Sequence, residues 1–375
     1  MTPTIEKQSG RLASLDILRG FDMFLLVFLQ PVLVAVGQAA DVPWLNAVLY
    51  QLDHEAWDGF RFWDIVMPLF MFMCGVSMPF SFARYGADKP KWPLMAKIVK
   101  RVVLLWLLGM LVQGNLLAFD PEAVRLYSNT LQAIAAGYLI GAVMVLNLPL
   151  RWQIAATVAL LIIYWLPMTF CGDWTPQGNF AEKVDRLVLG RWRDGVYRDN
   201  VGQWHFSISY TYTWVWSSLT FAVTVMTGYF AGLIIKRRGR SLLTVKTLIV
   251  VGVALIAAAL IWSLQMPVVK RLWTSSMTLL SSGLCFLLMA FFFWLIDIKG
   301  RRRGLEWLKI YGMNSITAYL LGEVINFRSI PASITYGLQP IVGSAWYDAW
   351  LTTANFTILF FILLFMYKRR LFIKF

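Results

Sequence analysis

The sequence predicts an all-α protein, a polytopic membrane helix bundle of about ten transmembrane helices of about 20 residues each, with both termini cytoplasmic. Its 375 residues are 59% hydrophobic, include 18 tryptophans and have a mean hydropathy of +0.63, whereas soluble domains are usually only about 45–50% apolar. Apolar runs long enough to cross a bilayer recur along the chain. They lie near residues 15–37, 60–82, 98–118, 128–147, 150–170, 213–235, 244–265, 274–296, 306–327 and 350–367.

The net charge of +14 reflects topology and does not indicate a nucleic-acid partner. An excess of Lys and Arg marks the cytoplasmic loops of a membrane protein. Here the basic residues cluster after the second, sixth and eighth apolar runs and in the tail. These four clusters share one side only if the N-terminus is cytoplasmic and the number of spans is even. They are Arg84, Lys89, Lys91, Lys97, Lys100 and Arg101; Lys236, Arg237, Arg238 and Arg240; Lys299, Arg301, Arg302 and Arg303; and Lys368, Arg369 and Arg370.

Residues 1–375 are predicted to form one transmembrane domain with an outer-loop cap at residues 171–212, the longest loop. No repeat, low-complexity tract or linker separates a second domain. The first apolar run is not expected to be a cleaved signal peptide, because Asp16 and Arg19 would lie in or beside its hydrophobic region. Residues 327–346 are semi-polar and are expected to be re-entrant or a short interfacial helix.

No disulfide framework and no metal site are predicted. Cys74, Cys171 and Cys285 fall at different depths of the predicted topology, and the chain has only two histidines. These residues show none of the spacings by which cysteine and histidine bind metal.

The prediction of function centres on His54, in the run Asp53-His54-Glu55-Ala56-Trp57-Asp58-Gly59 at the edge of the second apolar run. Imidazole exchanges its proton near neutral pH, and it can take a proton or carry an acyl group. Four carboxylates lie nearby in the first outer loop, residues 37–59, a stretch that has no Lys or Arg, so the pKa of His54 is expected to be raised. The alternative is that His54 only anchors the chain at the membrane interface.

Ionisable groups inside the apolar runs are expected to face a cavity, because they are costly in lipid. Asp16 and Arg19 are three residues apart, so on a helix they share a face and can partly neutralise each other. Asp64 follows His54 by ten residues, which is about 15 Å along a continuous helix. We therefore do not expect Asp64 to contact the imidazole. Glu323 lies in the ninth run.

The chain contains a series of short motifs spread over nearly its whole length. They are Arg11-Leu12-Ala13-Ser14-Leu15-Asp16 with Arg19-Gly20; His54, Trp57 and Gly59 with Asp64; Arg125 with Leu131-Gln132; Val184-Asp185-Arg186-Leu187-Val188-Leu189-Gly190; Leu272-Trp273-Thr274; Gly312-Met313-Asn314-Ser315-Ile316; and Glu323-Val324. In this order they closely resemble the transmembrane acetyltransferase family typified by lysosomal heparan-α-glucosaminide N-acetyltransferase and its bacterial relatives.

The resemblance implies that acetyl-CoA from the cytoplasm donates its acetyl group to the amino group of a hexosamine on the outer side. His54 matches the family's proposed catalytic histidine, as an acyl carrier or as a general base, and we place Asp64 and Asp58 with it. The resemblance also implies an integral protein of the bacterial cytoplasmic membrane and a homodimer, with no metal. The residues expected to bind acetyl-CoA or the acceptor are Asp16, Arg19, Gln30, Trp57, Arg125, Gln132, Asn314, Ser315 and Glu323.

Three departures from the family pattern leave the acceptor open. Gln30-Pro31 and Asp58 each stand where the family has Asn, and residues 210–216 replace its Asp-Pro-Glu-Gly sequence. Two other functions remain alternatives. One is a sugar transporter, with Asp64 and Glu323 lining its pathway. The other is an O-acyltransferase that modifies hydroxyl groups of a surface polysaccharide.

Overall fold

A computed structural model describes residues 12–83, 91–208 and 212–373. The predicted all-α membrane bundle is confirmed. The sequence predictions that involve Arg11, Arg84, Lys89, Tyr210 and Thr211 fall outside the described residues. Within them, eight helical segments are long and apolar enough to cross a membrane: Ala13–Ala40, Phe62–Phe82, Thr130–Asn147, Leu150–Phe170, Ser218–Arg238, Leu242–Ser263, Ser275–Ile298 and Ser344–Lys368.

Short helices and turns connect these long segments. In chain order the helices are α1 (Ala13–Phe24), α2 (Gln30–Ala40), α3 (Pro43–Gln51), α4 (Val66–Phe82), α5 (Trp92–Val112), α6 (Thr130–Asn147), α7 (Leu150–Phe170), α8 (Phe180–Leu189), α9 (Ser218–Arg238), α10 (Leu242–Ser263), α11 (Ser275–Phe292), α12 (Leu308–Met313), α13 (Ser315–Val324), α14 (Ser329–Thr335), α15 (Gln339–Val342) and α16 (Ser344–Lys368). A π-helical turn at Leu25–Leu29 joins α1 to α2, and another at Phe293–Ile298 extends α11.

Two of the ten predicted spans differ from one long apolar helix. The third, α5, has 21 residues but carries Lys97, Lys100 and Arg101 within it. The ninth is broken at Asn314, between α12 and α13. The side chain of Asn314 donates to the carbonyl of Leu371 at 3.1 Å and accepts from the backbone N–H of Ile373 at 3.2 Å. The break therefore coincides with a polar contact between this segment and the tail.

Glycines allow the central helices to approach each other closely. A methyl group at Gly75 of α4 would lie 1.9 Å from the carbonyl oxygen of Val225 on α9, and one at Gly228 of α9 would lie 2.0 Å from that of Phe72 on α4. The pair α1 and α12 makes the same kind of contact through Gly20 and Gly312. Small residues at such crossings are typical of membrane helix pairs, in which packing replaces the hydrophobic effect.

Buried polar contacts hold the segment predicted to be a cap against the start of α9. Asp185 on α8 accepts hydrogen bonds from the backbone N–H groups of Trp214 at 2.8 Å and Val215 at 2.9 Å. Arg193 is fully buried and pairs with Glu182 at 2.8 Å. The segment also contains a two-stranded antiparallel sheet of β1 (Val196–Arg198) and β2 (Trp204–Phe206).

Substitution of Gly75 by alanine is expected to destabilise the bundle by about 1–3 kcal/mol, because the added methyl group overpacks the α4–α9 contact. The measurement is thermal unfolding of the purified protein in detergent. Gly337→Ala is the matched control, since a methyl group there meets no atom within 4 Å. Equal melting temperatures for the two variants would contradict the close approach of α4 and α9.

Candidate active site

The loop between α3 and α4, which is predicted to lie outside, is organised around the carboxylate of Asp64. A 3-10 turn at Phe62–Ile65 precedes α4 and contains Asp64 as its third residue. Oδ2 of Asp64 accepts hydrogen bonds from the backbone N–H groups of Arg61 at 3.0 Å and Glu55 at 3.3 Å. Its side chain is fully buried. A carboxylate at a helix N-terminus is favoured because it accepts from otherwise unpaired N–H groups.

His54 lies directly against Asp64, with 2.9 Å between Nδ1 and Oδ1. The prediction that these two side chains are too far apart to touch was wrong. It assumed a continuous helix, but α3 ends at Gln51 and the chain then folds back across the start of α4. A separation of ten residues in sequence therefore does not measure depth along a helix axis.

Lys270 completes the cluster, and it was missed by the sequence analysis. Its Nζ lies 2.8 Å from Nδ1 and 3.1 Å from Nε2 of His54, and 3.5 Å from Oδ1 of Asp64. The side chain is only 6% exposed. One feature of the sequence could have identified it: Lys270 lies in the short loop between α10 and α11, which is predicted to be on the same side of the membrane as His54.

Asp58 joins the loop of Lys270 to the loop of His54. Its Oδ1 accepts from the backbone N–H of Val268 at 3.0 Å, and the N–H of Gly59 donates to the carbonyl of Val268 at 2.9 Å. Trp57 connects the same loop to the segment predicted to be a cap, since its indole N–H donates to the carbonyl of Trp174 at 2.7 Å. These contacts hold Lys270 beside the imidazole although the two lie far apart in sequence.

The electrostatic environment lowers the pKa of His54, mainly because burial disfavours the imidazolium. The hydrogen bond to Asp64 opposes this effect and the charge of Lys270 adds to it. The expectation of a raised pKa was wrong, because it counted the neighbouring carboxylates without burial or a distant cation. Burial also lowers the pKa of Lys270, to about 8. Near neutral pH these shifts favour the uncharged imidazole and an ammonium on Lys270.

His54 and Lys270 line a cavity of about 360 Å³, which we call the outer cavity. Its other polar and aromatic lining residues come from the helices and from the segment predicted to be a cap: Trp63, Phe70, Gln113, Ser128, Thr130, Asp194, Tyr212, Trp214, Tyr319 and Glu323. Aromatic faces mixed with a few polar groups are typical of small-molecule sites.

A second cavity of about 240 Å³, the inner cavity, is lined by Arg19, Arg101, Ser77, Ser315 and residues of the tail. The guanidinium of Arg101 lies 3.5 Å from the sulfur of Cys74 and 4.6 Å from the ring centre of Tyr138. Its buried Nε has no hydrogen-bond partner among the described residues. The two cavities share four apolar lining residues: Phe70, Leu131, Ile134 and Ile316. They therefore adjoin across one apolar wall.

The structure brings only part of the predicted binding set to the cavities. Glu323 lines the outer cavity, and Arg19 and Ser315 line the inner one. Asn314 binds the tail instead. Asp16 is buried on α1, where its carbonyl lies against Gly312.

The remaining predicted binding residues contact other parts of the chain. Arg125 donates to the carbonyl of Val196 at 2.7 Å and so contacts the segment predicted to be a cap. Gln132 is buried, and its Oε1 accepts from the N–H groups of Ser128 and Asn129 before α6. Gln30 reaches the carbonyl of Leu52 at 3.5 Å. Among the residues that the structure describes, no group of three or more His, Cys, Asp and Glu side chains is arranged to hold a metal ion.

Replacement of Asp64 by alanine is expected to loosen the loop of His54, because the amides of Glu55 and Arg61 lose their shared acceptor. A hydrogen bond to a charged group contributes about 1.5–3 kcal/mol, so amide exchange in residues 53–61 should accelerate about 10–100-fold. Hydrogen–deuterium exchange with mass spectrometry measures this directly. Asp120→Ala, in the loop between α5 and α6, should leave residues 53–61 unchanged. Equal protection in both variants would refute the role of Asp64 as organiser.

Comparison with known proteins gives the context of this site. Residues 11–178, which include His54, Asp64 and Arg125, match the family described as heparan-alpha-glucosaminide N-acetyltransferase, catalytic. The chain is 24% identical over 375 residues to heparan-alpha-glucosaminide N-acetyltransferase of Mus musculus, covering 86% of this chain and 55% of that protein. It is 25% identical over 369 residues to that of Homo sapiens, covering 84% and 53%.

The chain spans about half the length of these curated relatives. Lys270 and Glu323 lie beyond the residues that match the family. The resemblance seen in the motifs is confirmed: residues 11–178 match the catalytic family, and most of the chain is similar to two heparan-alpha-glucosaminide N-acetyltransferases at low identity.

Proposed function

We propose that this protein is a transmembrane acetyltransferase of the bacterial cytoplasmic membrane. It moves acetyl from cytoplasmic acetyl-CoA to the amino group of a hexosamine, or of a glycan that contains one, on the outer side. His54 is the catalytic residue. The observation that carries the proposal is that His54 and a pair of arginines line two cavities that share one apolar wall.

The inner cavity suits the donor. Acetyl-CoA carries several phosphate charges, and guanidinium groups bind phosphate through charge-assisted hydrogen bonds. Arg19 and Arg101 both line this cavity, and Nε of Arg101 is buried without a hydrogen-bond partner among the described residues. The positive-inside pattern assigns this side to the cytoplasm. In this proposal the phosphates stay at the arginines while the thioester extends past the apolar wall towards His54.

The outer cavity suits an amino sugar. Trp63, Tyr212 and Trp214 line this cavity and are side chains against which a sugar ring can pack, while Asp194 and Glu323 supply carboxylates. A carboxylate attracts the ammonium of the acceptor and accepts hydrogen bonds from its hydroxyls. We propose only the class of the acceptor, an amino sugar, and no particular sugar, because Gln30, Asp58 and residues 210–216 depart from the family pattern.

The uncharged imidazole of His54 supports either of two routes. As a general base it takes one proton from the acceptor ammonium, and the free amine attacks the thioester carbonyl. The C–N bond forms, the C–S bond breaks, and the departing sulfur takes the second proton from nitrogen. As an acyl carrier, Nε2 attacks the carbonyl first, the C–S bond breaks, and the departing thiolate takes a proton from the acceptor ammonium. The free amine then attacks the acyl group, the bond from carbon to Nε2 breaks, and the nitrogen of the new amide releases its remaining extra proton. Either route yields the amide, CoA-SH and one proton in total.

Replacement of His54 by alanine is expected to reduce acetyl transfer at least about 100-fold, since general acid–base catalysis typically contributes that much or more. The assay uses purified protein in proteoliposomes with radiolabelled acetyl-CoA and glucosamine. His205→Ala is the matched control, because His205 pairs with Asp199 at 2.7 Å in the cap and lines neither cavity. It should retain the wild-type rate.

The other possible results revise different parts of the proposal. Transfer that survives in His54→Ala would support the acetyltransferase function but contradict the catalytic role of His54. Acetylation of sugar hydroxyls without amines would favour the O-acyltransferase. Sugar movement across the membrane without acetyl-CoA binding would favour the transporter.

Replacement of Arg101 by glutamine is expected to raise the KM for acetyl-CoA about tenfold, the effect of losing about 1.4 kcal/mol of binding, with little change in kcat. The KM for S-acetylpantetheine, which lacks the phosphates, should not change. Arg303→Gln, in the basic loop after α11, is the control and should affect neither substrate. Equal weakening of both substrates would contradict a phosphate role for Arg101.

A further inference from the structure

The cluster at the outer cavity contains one carboxylate and two groups able to carry a positive charge. Asp64 is fully buried, and a buried carboxylate needs a counter-ion. In a simple histidine–aspartate pair the counter-ion would be the imidazolium. Here the ammonium of Lys270 lies within reach of the same oxygen, 3.5 Å from Oδ1.

We propose that Lys270 balances the charge of Asp64 and thereby keeps His54 uncharged, ready to act as base or acyl carrier. This inference rests on the proposed function and assigns Lys270 as a positioning residue that acts through His54. Neither the family match nor the sequence motifs include it.

The contacts place Lys270 where this role requires it. Nζ lies 2.8 Å from Nδ1 and 3.1 Å from Nε2 of His54. An ammonium has three N–H donors and no acceptor, so it can donate towards Asp64 and the imidazole together. A second proton on the ring would meet the ammonium at this distance. The two cations would repel each other in a site where only one negative charge faces both.

Intrinsic basicity decides which group holds the proton. A free lysine has a pKa about four units above that of histidine, so Lys270 protonates first when the two compete for one counter-ion. Burial lowers the pKa of Lys270 only to about 8, and the pKa of His54 lies below its usual 6.5. Between these values the cluster holds an ammonium and a neutral imidazole.

The other charged groups around the cluster do not reverse this assignment. Asp53 and Arg271 act on Lys270 with opposite signs, and Asp53 raises the pKa of His54 less than the other influences on it. Glu55 is paired with Arg61 at 2.9 Å. Asp64 is therefore the carboxylate shared by Lys270 and His54.

The test is an NMR titration of His54. The chain has only two histidines, so His205→Gln leaves the imidazole of His54 as the single signal after labelling with 13C,15N-histidine. The full-length protein in nanodiscs should show a neutral ring at pH 7 and a pKa below 6.5. Adding Lys270→Met should raise that pKa by one unit or more, a tenfold change in proton affinity. Lys270→Arg keeps the charge and should move it much less. Lys183→Met in α8 is the control.

Two results would overturn the proposal. One is an imidazolium at pH 7 in the protein that retains Lys270, a measurement that does not depend on whether Lys270→Met folds. The other is an unchanged pKa in a folded Lys270→Met protein.

The titration is independent of acetyl transfer. A pKa that responds to Lys270 in a protein without acetyltransferase activity would support this inference while the proposed function failed. In an active protein, the acid limb of the pH–rate profile should move to higher pH with Lys270→Met, and the rate should recover towards pH 8.

Discussion

The carboxylate of Asp64 is the contact on which the arrangement of the candidate site depends. It accepts from two backbone amides of the loop before α4, and it faces both the imidazole of His54 and the ammonium of Lys270. One buried charge thus orders a loop, orients a ring and attracts a lysine from a distant part of the chain. Because the free energy of a buried charge depends on all its partners together, these features are expected to form or to be lost as a unit.

The features that could be predicted from the sequence, most of the helices and the choice of His54, are those that depend on local composition. The apolar runs fix the number and place of most helices, since a bilayer sets the length of a crossing helix. His54 could be identified as a candidate because the chain has only two histidines. The contact of His54 with Asp64 was not predictable by counting residues, because backbone hydrogen bonds to Asp64 fold the loop back. Lys270 was not predictable because its position depends on the packing of α10 and α11 beside the first outer loop.

Polar residues in the apolar runs divide into two physical classes. Glu323, Arg19 and Ser315 face the cavities, whereas Gln132 and Asn314 satisfy backbone groups at helix ends and in the tail. Both arrangements avoid the same cost, because a polar group that is buried in a membrane without a partner is unfavourable. Residue type alone does not separate them. The distinction depends on whether a neighbouring backbone group is left unpaired.

The contact between Asn314 and the tail has a consequence for the inner cavity. Phe372 and Ile373 form part of its lining, and two hydrogen bonds from Asn314 hold this stretch in place. The wall of the cavity is thus assembled from the break in the ninth apolar segment and from residues beyond the last long helix. A substitution in this stretch would therefore reshape the wall of the cavity without touching any of the long helices.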